Sequence, residues 1–174
     1  RAPRRGNTRV ILMMDIGGSM DPYAHLCSRL FSAAKRASHF KELRTYYFHN
    51  CVYGHVYETD RFDKPIRVRD LLHECGRHYK LIMVGDALMA PYELFAAGGS
   101  LDLGDDRGTE GIRWLMMLAD HFDRAAWLNP EPERYWTGNT IEHVRKVFEM
   151  FPLTLRGLGD AVTHLAKGRS YGLH

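Results

Sequence analysis

A run of five apolar residues, Val10-Ile11-Leu12-Met13-Met14, is followed at once by Asp15-Ile16-Gly17-Gly18-Ser19-Met20. An apolar run of that length, bounded by charge on one side and glycine on the other, reads as a buried strand. A second run, Lys80-Leu81-Ile82-Met83-Val84-Gly85, ends the same way, at Asp86. Strands this apolar offer solvent no polar face, so helices must cover both sides of their sheet. The spacing supplies those helices. Tyr23–Ser38 carries Leu26, Leu30, Phe31, Ala34 and Ala37 on one face, and Thr109–His121 carries Ile112, Leu115, Met116 and Ala119, with Thr109 as N-cap. Further helices are expected over Val68–Cys75, Met89–Ala97, Thr140–Phe148 and Leu158–Leu165.

The remaining strands are expected at Arg44–His49, at Ala125–Leu128 closed by Asn129-Pro130, and at Leu153–Leu155 as a last edge. Cys51–Tyr57, with Gly54 in its middle, reads as a hairpin or a strand pair. Glu58–Pro65 reads as a charged loop and Gly98–Gly108 as an exposed one. The implied fold is α/β: a doubly wound, Rossmann-like, mostly parallel central sheet flanked by helices. Residues 10–174 form one domain. Residues 1–9, with Arg1, Arg4, Arg5 and Arg9, read as a linker from a longer protein, since no apolar stretch makes them a signal peptide.

Composition narrows the function. A net charge of +3 on 174 residues is too small to argue for nucleic acid as a partner. No run of about 18 apolar residues is present, so membrane insertion is not expected. The three cysteines, Cys27, Cys51 and Cys75, are odd in number and far apart, which argues for a reducing, cytoplasmic setting. No Cys-x-x-Cys or His-x-x-x-His pair suggests structural zinc. Trp114, Trp127 and the Tyr46-Tyr47-Phe48 group read as core, whereas Trp136, beside Arg134 and Tyr135, reads as partly exposed. The acidic cluster Asp102, Asp105 and Asp106 reads as a solvated loop.

Two central strands thus end in carboxylates, Asp15 and Asp86. In a doubly wound sheet such strand ends meet where the winding direction reverses, which is where ligands bind. Two carboxylates brought together there repel unless a cation lies between them. Oxygen ligands on a glycine turn, with the Ser19 hydroxyl beside them, suit a hard divalent ion such as Mg²⁺, with Mn²⁺ or Ca²⁺ as substitutes.

Asp15-Ile16-Gly17-Gly18-Ser19 resembles the Asp-x-Ser-x-Ser motif of von Willebrand factor A domains. That motif builds the family's metal-ion-dependent adhesion site, and Asp86 in Val84-Gly85-Asp86-Ala87 fits the family's later Asp. Ala126-Trp127-Leu128-Asn129-Pro130, followed by a charged helix, looks like the bacterial CoxE-like branch. The resemblance covers Val10 to Leu165. It implies a metal set of Asp15, Gly17, Ser19, Thr59 and Asp86. Gly17 stands where the family has its first Ser. Thr59 is the available match for the family's Thr, with Asp60 or Asp63 as substitutes. A rim of Asn50, Asn129 and Trp136 would face the partner.

The resemblance further implies a binding module in which an Asp or Glu of a partner protein completes the coordination of Mg²⁺. A MoxR-type AAA+ ATPase is the implied associate. No enzymatic activity is expected: Asp-x-Asp after the first strand and a Gly-x-x-x-x-Gly-Lys loop are both missing, although His25 and His49 lie in the neighbourhood. The alternatives are Mg²⁺-dependent phosphoryl transfer or hydrolysis using Asp15, and a metal-free scaffold.

Overall fold

The structure, a computed structural model, describes residues 8–36, 40–96 and 110–167. Strands β1 (Arg9–Asp15), β2 (Glu42–Phe48), β3 (His55–Tyr57), β4 (Pro65–Arg67), β5 (Lys80–Val84), β6 (Arg124–Asn129) and β7 (Glu149–Pro152) form one sheet. Their order is β4-β3-β2-β1-β5-β6-β7. From β2 to β7 the pairings are parallel; β3 runs antiparallel to β2, and β4 to β3. The chain steps from β1 to β2, returns to the other side of β1 with β5, and then winds outward through β6 and β7. The reversal between β1 and β5 makes this a doubly wound α/β fold of Rossmann-like kind.

Alternation along the central strands explains their unbroken apolar sequence. Ile11, Met13, Leu81, Met83 and Trp127 point into one core with α2 (Val68–Glu74), α3 (Pro91–Phe95), α4 (Gly111–His121) and α5 (Asn139–Val147). Val10, Leu12, Ile82, Val84, Ala126 and Leu128 point into the other, beneath α1 (Ala24–Arg36) and α6 (Leu155–Ala166). With both faces covered, neither set of side chains can be polar. Among the described residues no helix is long and apolar enough to cross a membrane. The three cysteines are buried and unbridged.

Several expectations shift. The face of α4 that is buried is Gly111, Trp114, Leu115 and Leu118, while Met116 is exposed. Trp114 wins the core because it is the larger apolar body, and that rotates the helix away from Met116. Its N-cap is Glu110; Thr109 lies outside the described residues. On α1 the buried set is Cys27, Leu30, Phe31 and Ala34, with Leu26 exposed. The hairpin is built from β3 and β4 around the 58–64 turn, so Pro65, expected in the loop, opens a strand. The outer edge strand is Glu149–Pro152, not Leu153–Leu155. Leu153 instead donates its N–H to the Asn129 carbonyl, Thr154 caps α6 by accepting from Gly157 N–H, and Leu155 already belongs to that helix. Gly157 is what permits the tight junction: a Cβ there would lie 1.8 Å from the Pro152 carbonyl oxygen. Of the linker, Arg9 is in β1 and residues 1–7 lie outside the described residues, as do Ala37 and the 98–108 loop with Asp102, Asp105 and Asp106.

Candidate functional site

β1 and β5 pair in register up to Met14 and Val84. Asp15 and Gly85-Asp86 therefore leave the sheet side by side at its C-terminal edge. The chain then diverges, through a 3-10 turn over Gly18–Tyr23 to α1 on one face, and through an irregular loop to α3 on the other. The crevice so opened is the switch point of the fold, and both carboxylates sit at its floor, 4% and 3% exposed.

Each carboxylate is held by one backbone N–H. Asp15 Oδ1 accepts from Asn50 N at 3.0 Å, and Asp86 Oδ1 accepts from Leu88 N at 3.1 Å. Asp15 Oδ2 lies over Gly85, where a Cβ would come within 3.0 Å of the Asp15 Cβ and 3.4 Å of Oδ2. Ser19, exposed on its turn, donates its hydroxyl to Asp86 Oδ2 at 2.5 Å. Asn129 Nδ2 donates to the Asp86 carbonyl at 3.1 Å, and Asn129 Oδ1 takes the Glu131 N–H at 2.9 Å. Ala87 and Asn50, flanking the crevice, both hold left-handed backbone, φ 59° and 62°. Non-glycine residues so held cluster at functional sites.

The electrostatics follow from burial. Removal from water pushes Asp15 up from 3.8 to about 8, and the nearby Asp86 and Glu93 carboxylates add to the rise against the lowering effect of the Asn50 N–H. Among the described residues no Lys or Arg side chain pairs with Asp15 or Asp86. A divalent cation in the crevice would remove the repulsion. The oxygens placed for it are Asp15 Oδ2, Asp86 Oδ2 and Ser19 Oγ, whose lone pairs remain after its proton is given to Asp86. Among the described residues no group of three or more His, Cys, Asp and Glu side chains is arranged to hold a metal. What the crevice brings together is two carboxylates and a hydroxyl, oxygen donors of the type that hard divalent cations take.

The other predicted residues separate. Gly17 forms the turn. Its φ of 85° and ψ of 163° belong to a region that side chains other than glycine's scarcely enter, and its carbonyl accepts from Met20 N–H. The His49 ring occupies the space beside it, with Nδ1 3.2 Å from where a Cβ would stand. His49 Nδ1 is 2.8 Å from the Ile16 carbonyl, so that nitrogen carries the hydrogen. Thr59 is not brought to the carboxylate pair by any hydrogen bond of its hydroxyl. That group stays within its own turn, donating to Asp63 and accepting from the N–H groups of Arg61 and Asp63. Asp60 comes closer: it lines a cleft of about 330 Å³ together with Asp15, Ile16 and Gly17.

Two rim assignments are corrected. Trp136 is 1% exposed, with Nε1–H donated to the Glu131 carbonyl and the Arg145 guanidinium over its ring. The polar neighbours Arg134 and Tyr135 face solvent while the indole turns inward. Asn129 is fully buried and braces Asp86 from below. Asn50 does stand at the site, through its backbone N–H.

Sequence reasoning missed Glu93. Glu93 had a signal: Pro91 opens α3 and Glu93 stands at its third position, the arrangement in which a carboxylate reaches back to the residue before the helix. It does so, accepting from Ala90 N–H at 2.9 Å, and it reaches Asn50 Nδ2 at 2.8 Å as well. Comparison with family models, with curated proteins and with solved structures returned no match for this chain.

Proposed function

We propose that this chain is a metal-ion-dependent binding module of the von Willebrand factor A type. Its cation is held by Asp15, Ser19 and Asp86, and an acidic side chain of a partner protein completes the coordination. The observation that carries the reading is the meeting of Asp15, Asp86 and the exposed Ser19 at the switch point, with no basic side chain among the described residues to neutralise them. The cation supplies a positive centre that a carboxylate can join. The protein's residues hold the two acids in place, keep water from their inner faces and leave the Ser19 side open. A MoxR-type AAA+ ATPase is the associate this reading favours, by the resemblance of Ala126-Trp127-Leu128-Asn129-Pro130 and the charged helix after it to the CoxE-like branch.

Binding is favoured over phosphoryl transfer because no Lys or Arg among the described residues forms an ion pair with Asp15 or Asp86, whereas a transferring phosphoryl group needs a cationic clamp beside it. Asp15→Ala beside the parent, titrated with Mg²⁺ and Mn²⁺ by calorimetry, tests the reading. One ion per chain, lost in the variant, is expected. A parent that binds neither ion at millimolar concentration leaves a metal-free scaffold.

A further inference from the structure

A second cleft lies at the opposite edge of the sheet from the crevice, where β6 and β7 begin and α5 ends. Its volume is about 280 Å³, and Arg124, Arg145, Lys146 and His164 line it together with Asp123 and Glu149. Asp123 is paired with Arg77 at 3.4 Å. Among the described residues, Arg124, Arg145 and Lys146 enter no ion pair, and neither does Glu149. Three cations thus share a polar cleft with a single carboxylate that is not already neutralised.

Arg124 opens β6 and is half-buried. It donates Nε–H to the His164 carbonyl at 3.2 Å and Nη2–H to His164 Nδ1 at 2.9 Å. His164 Nε2 in turn faces the Ala125 carbonyl at 3.2 Å, so that nitrogen carries the hydrogen and Nδ1 accepts. Burial, and after it the Arg124 charge, push the His164 pKa down, which keeps the ring neutral. Neither bond neutralises the guanidinium, and together they use two of its five N–H groups. The C-terminus of α5 accounts for Arg145 and Lys146 in its last turn. It does not account for Lys80, the register partner of Arg124 at the start of β5, which leaves the sheet on the same face. Lys80 also enters no ion pair among the described residues. Like charges directly opposite each other destabilise a sheet, and an anion beside Arg124 would offset that cost.

We propose that this cleft binds a small phosphate-bearing anion, held by Arg124, Arg145 and Lys146. A planar guanidinium matches two oxygens of a phosphate group at once, and a lysine ammonium adds a point charge. A phosphate group that is mostly dianionic at neutral pH supplies the negative charge that Glu149 alone does not. One water takes about 30 Å³, so the cleft has room for a phosphate and a small polar body attached to it. The site is separate from the crevice between β1 and β5 and requires no metal there.

The test is titration of the chain with ribose 5-phosphate, inorganic phosphate and ribose at fixed ionic strength, read by calorimetry and by amide chemical shifts. One phosphate-bearing molecule per chain is expected, with the amides of Arg124, Glu149 and His164 among those that shift, and no binding of ribose. Arg124→Lys keeps the charge and removes the fork, and Lys146→Gln removes an exposed charge; each should weaken binding by about tenfold. Arg156→Gln, which removes a charge from the first turn of α6 at the far end of that helix, should leave the affinity unchanged. Thermal unfolding verifies that each variant is folded, and Lys146→Gln combined with Arg145→Gln carries the test if Arg124→Lys is not. Tighter binding of ribose 5-phosphate than of inorganic phosphate marks a phosphate ester as the ligand, and equal or weaker binding marks free phosphate. The proposal is overturned if neither binds at millimolar concentration, if ribose binds as well as its phosphate, if the shifts fall away from this cleft, or if folded Arg124→Lys and Lys146→Gln keep the parent's affinity.

Discussion

Replacing Asp15 by Asn should stabilise the metal-free protein, although it removes the residue most central to the site. The Asn keeps an oxygen to accept the Asn50 N–H and discards the buried charge. In the folded protein Asp15 is pushed up to about 8, against 3.8 when unfolded. Below the lower value the carboxyl is neutral in both states and costs nothing. As pH rises from there, the unfolded chain releases its proton while the folded one retains it. The parent therefore loses stability until the folded value is passed, and loses no more beyond it. Each pH unit in that window is worth about 1.4 kcal/mol, so at pH 7 the penalty reaches roughly 4 kcal/mol.

The amide must be accommodated beside Asp86, so the observed gain of Asp15→Asn at pH 7 should be about 2 kcal/mol or more. Urea unfolding in chelator from pH 4 to pH 8, parent against variant, measures it, because titrations elsewhere in the chain cancel in the difference. The gap should widen steadily across the range. Millimolar Mg²⁺ should then raise the parent and leave the variant unmoved. A variant less stable than the parent at pH 8, or a gap that does not grow with pH, would refute the reasoning.

Gly17→Ser, which would write the missing hydroxyl back into the motif, should instead destabilise by about 1–3 kcal/mol, because the backbone there is restricted to glycine and the His49 ring fills the space; chemical denaturation and Mn²⁺ affinity together measure it. Gly157→Ala drives a methyl into the Pro152 carbonyl and should cost about 3 kcal/mol, visible as a lowered thermal midpoint. Asn129→Ala leaves the Glu131 N–H without its partner and the Asp86 carbonyl without its buried donor. A loss of about 1–3 kcal/mol by urea unfolding is expected, accompanied by weaker metal uptake.

The convergence of Asp15 and Asp86 was legible in the sequence because it depends on one inference: two wholly apolar runs must be neighbouring central strands, and each ends in Asp. The supports of the site were not legible in the same way. Glu93 reads as a charge at the start of a short helix, and only the folded chain brings it to Asn50, 43 residues away in sequence. Asn129 before Pro130 reads as a local turn, which it does form with Glu131, but its second hydrogen bond reaches Asp86 across the sheet. Trp136 takes the opposite side from its neighbours: Arg134 and Tyr135 are exposed, and the indole is buried. The outer edge strand slid by four residues, from Leu153 to Glu149, because the pairing of Ala126–Asn129 with Glu149–Pro152 outweighs local propensity. The resemblance alone points to a threonine ligand, and Thr59 satisfies its hydroxyl within its own turn instead.

The most direct test is to soak crystals with Mn²⁺ and collect anomalous scattering at its absorption edge. The account expects one peak in the crevice between β1 and β5, with Ser19 Oγ and single oxygens of the Asp15 and Asp86 side chains around it at about 2.1 Å, directly or through water. It also expects a coordination position open toward solvent. A crevice without a peak at saturating Mn²⁺, or an ion seated away from Asp15 and Asp86, would contradict it.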